Sequence, residues 1–284
     1  MPTATQGPKE IRIAEQVTVG GAAPLFVIAG PCVIESEEHA LLLAREAKAV
    51  CARLGLPFIF KASYDKANRS SYKSYRGPGL EKGLAILRRI KQETGVAVLS
   101  DVHETAQVEK AAEVLDIIQI PAFLCRQTDL VVAAARTQKP LNLKKGQFLS
   151  PQEMRNAVDK ALAQGNERLL LTERGTFFGY NNLVFDIRSI PIMKEWGFPV
   201  VLDATHIVQR PGGRGEASGG EAGFIPVMVR AGAAAGVDGL FLEVHDRPER
   251  ALSDGSNSLI INKLEGILKS ALRIKQAVRE VGFD

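Results

Sequence analysis

Four residues of this chain carry the side chains of a transition-metal site: Cys32, His206, Glu243 and Asp254. One thiolate, one imidazole and two carboxylates form a borderline-soft donor set. A second group, Lys61, Lys66, Lys144 and Arg174, has the opposite charge. Arginine offers phosphate or carboxylate a planar fork and lysine a point charge, so this group suits an anion. Taken singly, each residue also has an ordinary structural role. A lone free cysteine is usually a small buried hydrophobe. His206 can be a satisfied core histidine, Glu243 and Asp254 can be ion-pair partners, and Lys61 can pair with Asp101. Arg69 and Arg76 can be solvated surface, and Glu35 can steady the turn that follows Cys32. Convergence on one face is what turns these residues into a site.

The elements that must bring about this convergence alternate along the chain. Continuous apolar runs read as buried strands, and each precedes a segment of helical pattern. LFVIAG (Leu25–Gly30) precedes the helix Ser36–Leu54, with Ser36 at its N-cap and Glu37 and Glu38 in the first turn. PFIFKAS precedes Leu80–Glu93, VAVLSD precedes Ala106–Val114, and DIIQIPA precedes Leu130–Arg136. PLNLKK is followed by Gln152–Gln164, RLLLTE by Ile190–Trp196, FPVVLDAT by Gly223–Ala235, and DGLFLE by Leu259–Val281. About eight such units predict an α/β protein, a single (β/α)8 TIM barrel, rather than an open doubly wound sheet. IRIAEQVTVGG predicts a short N-terminal hairpin that plugs the barrel, within an N-terminal extension covering residues 1–23. No interdomain linker is visible, so residues 1–284 read as one catalytic domain.

In such a barrel the residues just after each strand share one mouth. Cys32, Lys61, Lys66, Asp101, His103, Gln119, Lys144, Lys145, Glu173, Arg174, Asp203, His206, Glu243 and His245 all fall there, with Asp254 in the last loop. Barrel closure makes the eighth strand a neighbour of the first. Cys32, His206, Glu243 and Asp254 therefore share one side. Two long segments, Gln209–Gly220 and His245–Asn257, read as loops on that face.

Composition narrows the function classes. The 284 residues carry a formal charge of +4, are 45% hydrophobic and 24% charged, and so are globular rather than disordered. The small positive surplus is too evenly spread to argue for nucleic acid. The most apolar stretch, Leu25–Ile34, is far shorter than the roughly 20 residues of a membrane span. Met1–Pro8 lacks the pattern of a signal peptide. Cys32, Cys51 and Cys125 are too few and too irregular for a disulfide framework, and the last two read as packing residues. A cytoplasmic location is the expectation.

KASYDKANRSS (Lys61–Ser71) is the most specific motif. Together with IAGPC, DVHE, IQIPAFLCRQTDL, NLKKGQF, TERGTFFGYNNL, DATH and FLEVH, it closely resembles the 3-deoxy-D-manno-octulosonate 8-phosphate synthases, also called 2-dehydro-3-deoxyphosphooctonate aldolases. The resemblance runs from about Leu25 to beyond Leu264. It implies a TIM barrel, usually a homotetramer, that condenses phosphoenolpyruvate with D-arabinose 5-phosphate for lipopolysaccharide biosynthesis. It also implies the metal-dependent branch, because Cys32 stands where the metal-independent branch has Asn. The cofactor would be divalent Mn, Fe, Co or Zn, held by Cys32, His206, Glu243 and Asp254.

By the same resemblance, Lys61, Lys66, Gln119, Ala122, Phe123, Lys144 and Arg174 would contact phosphoenolpyruvate. Asn68, Arg69 and Ser70 would contact arabinose 5-phosphate, and Arg126 would reach the sugar phosphate of a neighbouring subunit. Lys61, Asp101, His103 and His206 are the candidates for proton handling. Arg69, Arg126 and Arg214 would stabilise a form closed over the substrates by the glycine-rich Gln209–Gly220 loop. The related 3-deoxy-D-arabino-heptulosonate 7-phosphate synthases, which use erythrose 4-phosphate, share the GPC turn. They resemble a KPRTS pattern where this chain has KANRSS. A non-catalytic sugar-phosphate-binding barrel would keep the cationic group but need not keep the four metal-type residues together.

Overall fold

The apolar runs form the wall of a closed barrel in a computed structural model that describes residues 7–69, 71–177, 182–211 and 219–281. The wall strands are β1 (Phe26–Gly30), β2 (Phe58–Lys61), β3 (Ala97–Asp101), β4 (Ile117–Ile120), β5 (Leu141–Lys144), β6 (Leu169–Glu173), β7 (Val200–Asp203) and β8 (Gly239–His245). Neighbours pair in parallel in chain order, and β8 pairs with both β7 and β1, which closes the ring. Helices α1 (Glu37–Arg53), α2 (Leu80–Thr94), α3 (Thr105–Ala112), α4 (Thr128–Arg136), α5 (Met154–Leu162), α6 (Ser189–Lys194), α7 (Ile225–Ala234) and α8 (Leu264–Val281) follow the strands in turn. Ser36 caps α1 by accepting a hydrogen bond from His39 N at 3.1 Å.

Side chains alternate across each strand, so the wall has two apolar faces. Val27, Ala29, Phe58, Phe60, Val98, Leu240 and Leu242 pack outward against the helices. Phe26, Ile28, Ile59, Ala97, Leu99, Ile117, Leu170, Val201 and Phe241 fill the interior. The hairpin Ile11–Ala14 and Val17–Val19 is antiparallel and adds Ile11, Ile13, Val17 and Val19 to that inner cluster. It plugs one end of the barrel. At that end, a Cβ on Gly239 would lie 2.5 Å from the Phe26 ring, so only glycine leaves room for it.

The last helix differs from the expected span Leu259–Val281. Leu259 and Ile260 pair in parallel with Val244 and His245, and α8 begins only at Leu264. The extended end of β8 offers these residues backbone partners, which outweighs their helical pattern. The ends of the Gln209–Gly220 segment pair with each other, Gln209 with Gly220 and Arg210 with Gly219. Residues 212–218, including Arg214, lie outside the described residues, as does Ser70. Among the described residues, no helix is long and apolar enough to cross a membrane.

Candidate active site

Two residues beyond the interior apolar layer, the same alternation carries polar groups inward. Ile59 is followed by Lys61, Leu99 by Asp101, Ile117 by Gln119, Val201 by Asp203 and Phe241 by Glu243. The strand period of two therefore builds a polar ring above a greasy floor at the C-terminal end of the barrel. Lys61, Lys66, Asn68, Asp101, His103, Gln119, Ala122, Phe123, Lys144, Arg174 and His206 line one pocket there.

Buried pairs hold the ring. Lys61 Nζ donates to the Cys32 carbonyl at 2.8 Å and to Glu243 Oε1 at 2.9 Å. It thus pairs with Glu243 rather than with Asp101. Asp101 instead accepts from Ser63 Oγ at 2.5 Å and faces His103 Nε2 at 3.0 Å. Lys144 Nζ donates to Asp203 Oδ2 at 2.5 Å and sits 4.1 Å from the centre of the Phe241 ring. Thr172 donates to Asn142, whose amide donates to Gln119, so the pocket-lining glutamine is oriented from two strands away. Arg174 donates to Gln209 Oε1 at 3.3 Å, while its Nη1 is buried without a partner among the described residues. Lys145 and Glu173, expected in the mouth, face the other side of the wall and lie 3.5 Å apart.

Beside the cationic ring, Cys32, Glu243 and Asp254 place ligand-type atoms within 4.8 Å of one another. His206 Nε2 lies 3.5 Å from Glu243 Oε1 and 3.9 Å from Asp254 Oδ2. The four metal-type residues are therefore brought together. The backbone sets two of them, Cys32 and Asp254. A Cβ on Gly30 would lie 2.0 Å from the Lys61 carbonyl, so the GPC turn can press against β2 only with glycine there. Asp254 adopts a left-handed conformation, φ 51° and ψ 26°, which aspartate tolerates better than most residues. The Glu35 carboxylate accepts from Leu252 N at 2.8 Å and ties the turn that carries Cys32 to the loop that carries Asp254.

Glu35, His39 and His245 also cluster. There His39 Nε2 faces Asp246 Oδ1 at 2.9 Å and His245 Nδ1 accepts from Arg247 N at 2.9 Å. We read this cluster as a brace.

Burial and charge decide protonation. Burial would raise the Glu243 carboxyl, but His206, Lys61 and Lys66 outweigh it and hold it well below its ordinary value. The Asp203 carboxyl is likewise held down against burial by His206 and Lys144. Burial pushes His206 below its ordinary value, against the pull of Asp203 and Glu243. Burial, followed by the charges of Asp254 and Glu243, pushes the Cys32 thiol well up.

The chain matches the DAHP synthetase I family over residues 8–280. It is 56% identical over 272 residues to the 2-dehydro-3-deoxyphosphooctonate aldolase of Syntrophotalea carbinolica, covering 96% of this chain and 98% of that one. It is 56% identical to the protein of the same name in Trichlorobacter lovleyi, over 95% of this chain and 99% of the relative. For that of Desulfatibacillum aliphaticivorans the identity is 57%, over 93% and 97%. The chain belongs to the 2-dehydro-3-deoxyphosphooctonate aldolase family.

In this aldolase-family chain, all seven residues expected at phosphoenolpyruvate line one pocket, and Asn68 joins them. Arg69 lies in the adjoining cleft with Ser253 and Asp254. Arg126 is exposed and does not line the pocket. Asp203, Asn142, Thr172, Gln209 and Ser253 also take part in the site, though the sequence alone assigns them no role. Asp203 was within reach, since it follows inward-facing Val201 by two and precedes His206 by three. The others are neutral, and nothing in their types marks them.

Proposed function

We propose that the chain condenses phosphoenolpyruvate with D-arabinose 5-phosphate and water, forming 3-deoxy-D-manno-octulosonate 8-phosphate and phosphate. The observation that carries this reading is the pocket itself. Four cationic side chains, Lys61, Lys66, Lys144 and Arg174, line it beside the Cys32, His206, Glu243 and Asp254 group. Lys144 and Arg174 would hold the phosphate of phosphoenolpyruvate, and Lys66 its carboxylate. Arg69 and Asn68 would hold the sugar phosphate. That arrangement sets the nucleophilic C3 of the enol ester against the aldehyde C1 of the sugar. Water then adds at C2, and phosphate leaves with C–O cleavage. His103, whose ring faces Asp101, and Lys61 line the pocket and would hand on a proton as negative charge develops on the aldehyde oxygen.

We assign a divalent Mn, Fe, Co or Zn ion to Cys32, His206, Glu243 and Asp254. The donor set fits. Among the described residues Glu243 Oε2 is buried without a partner, and His206 Nδ1 lies 2.8 Å from ionised Asp203, which leaves Nε2 to face the group. When bound, the ion supplies Lewis acidity to the aldehyde or the water. Arg126, at the barrel rim, and the half-exposed Phe148 and Phe177 support contact with a neighbouring subunit, and the assembly proposed is a homotetramer in which Arg126 serves that neighbour. A cytoplasmic place in lipopolysaccharide biosynthesis accords with such a reaction.

The test supplies phosphoenolpyruvate with arabinose 5-phosphate or erythrose 4-phosphate and follows phosphate release, before and after chelation. Release with arabinose 5-phosphate only, abolished by chelation and restored by added metal, is expected. Preference for erythrose 4-phosphate would overturn the substrate. Full activity of chelated, metal-free protein would overturn the metal.

A further inference from the structure

Ser253 holds a position that the reaction above does not use. It is 3% exposed, in the loop that carries Asp254. Its Oγ lies 2.5 Å from Arg69 Nη1 and 3.1 Å from Cys32 Sγ. A guanidinium has only donors, so the contact with Arg69 must use an oxygen lone pair. The single hydroxyl proton is then free to turn toward a sulfur that accepts it. Cys32 Sγ is also 3.1 Å from Asp254 Oδ2, a strong acceptor for a thiol proton. Once Cys32 is a thiolate it can only accept, and the Ser253 hydroxyl is the donor beside it. With Cys32 as the thiolate, the hydrogen bonds run one way, from Arg69 through Ser253 to Cys32. A hydroxyl that accepts from a cation is a stronger donor in its turn.

Resting on the metal and sugar-phosphate readings above, we propose that Ser253 is a positioning residue that couples the anion-binding Arg69 to the metal ligand Cys32. A phosphate drawn to Arg69 competes with Ser253 for the guanidinium. The hydroxyl then donates less strongly, and the sulfur becomes a stronger donor. The coupling is reciprocal, so the metal must also change the affinity for the sugar phosphate by the same factor. Gln209 makes a second, longer link of this kind, accepting from Arg174 and donating to Asp254 Oδ1, each at 3.3 Å.

The test uses Co²⁺ as probe, with the thiolate-to-cobalt absorption band as readout and phosphoenolpyruvate omitted so that no turnover occurs. In the unmodified chain, arabinose 5-phosphate should shift the band and change the Co²⁺ dissociation constant several-fold. Ser253→Ala, which removes the hydroxyl donor, should change the Co²⁺ dissociation constant several-fold, in the same direction as arabinose 5-phosphate does in the unmodified chain. It should also move the band to longer wavelength and abolish the response to the sugar phosphate. Ser253→Thr, which keeps the hydroxyl, should restore both. Arg69→Ala should move the band in the unmodified background but not in Ser253→Ala, and this comparison needs only the cobalt-loaded protein. Additive shifts would instead mean direct action of Arg69 on Asp254, 3.9 Å away, and would overturn the relay. So would a Ser253→Ala protein with unchanged affinity and band. An unmodified chain that binds Co²⁺ without a thiolate band would overturn the metal reading, and the relay with it.

Discussion

Lys144 and Arg174 carry the same charge into the same pocket, yet they leave different things behind when removed. Lys144→Met strips Asp203 of its ammonium partner inside the wall; Thr205 and the His206 N–H still donate to the carboxylate, so the loss falls below the roughly 3–5 kcal/mol of a wholly uncompensated buried charge. Arg174→Met strands no carboxylate, since Glu173 keeps the backbone N–H groups of Arg174 and Gly175 and the nearby Lys145. Burial disfavours both the Lys144 and the Arg174 charge, so what each leaves behind is what separates them. Thermal melts without ligand should therefore fall for Lys144→Met and hold or rise for Arg174→Met. Arg174→Met should still raise the KM for phosphoenolpyruvate, losing about 1.5–3 kcal/mol of charge-assisted hydrogen bonding. His103 allows a pH test. Burial alone would lower its pKa, but the hydrogen bond and charge of Asp101 outweigh burial and raise it. A raised folded-state value stabilises the protein fully below the unfolded value and less as pH climbs through the folded one. The Tm lost on His103→Gln should thus be larger near pH 5, about a unit or more below the ordinary histidine value, than near pH 9. A pH-independent loss would mean that the Asp101 pair carries none of it.

At the scale of elements, floor and mouth of the barrel are separable. Ile13 is buried in the inner cluster with Phe26 and Phe241, at the end away from the ionisable ring. Ile13→Ala should cost about 2–5 kcal/mol, the range for a large-to-small change in a packed core. It should leave both Michaelis constants unchanged. Denaturant unfolding and steady-state kinetics on one preparation check both halves. The hairpin and the strand spans were legible in the sequence because apolar runs between turn residues mark strands without reference to the rest of the chain. The start of α8 was not. Leu259 and Ile260 fit a helix equally well, and only the free edge at Val244 and His245 draws them into a ladder.

For the whole molecule, the question is where each active site ends. Arg126 is exposed at the rim, and among the described residues Lys160 engages its backbone carbonyl and none hydrogen-bonds its guanidinium. If it completes a neighbour's sugar-phosphate site, inactive Arg126→Ala subunits mixed with inactive Arg174→Ala subunits should regain activity. Some interfaces would then pair an intact Arg174 with a neighbour's intact Arg126. No recovery after verified subunit exchange would assign Arg126 to its own barrel or to no site.

The sequence by itself determined the barrel and the membership of both charged groups. Strand period and chain order set which residues face inward at the C-terminal ends, and the KASYDKANRSS motif names the chemistry. Which partner each residue takes was decided only by the tertiary structure. Lys61 turns to Glu243 across the closed ring, Lys144 to Asp203, and Cys32 to Ser253 and Asp254. Those pairs join strands and loops far apart in the chain. Their distances depend on how the wall closes and on the neutral side chains that fill the space between, and neither leaves a mark in residue type or spacing.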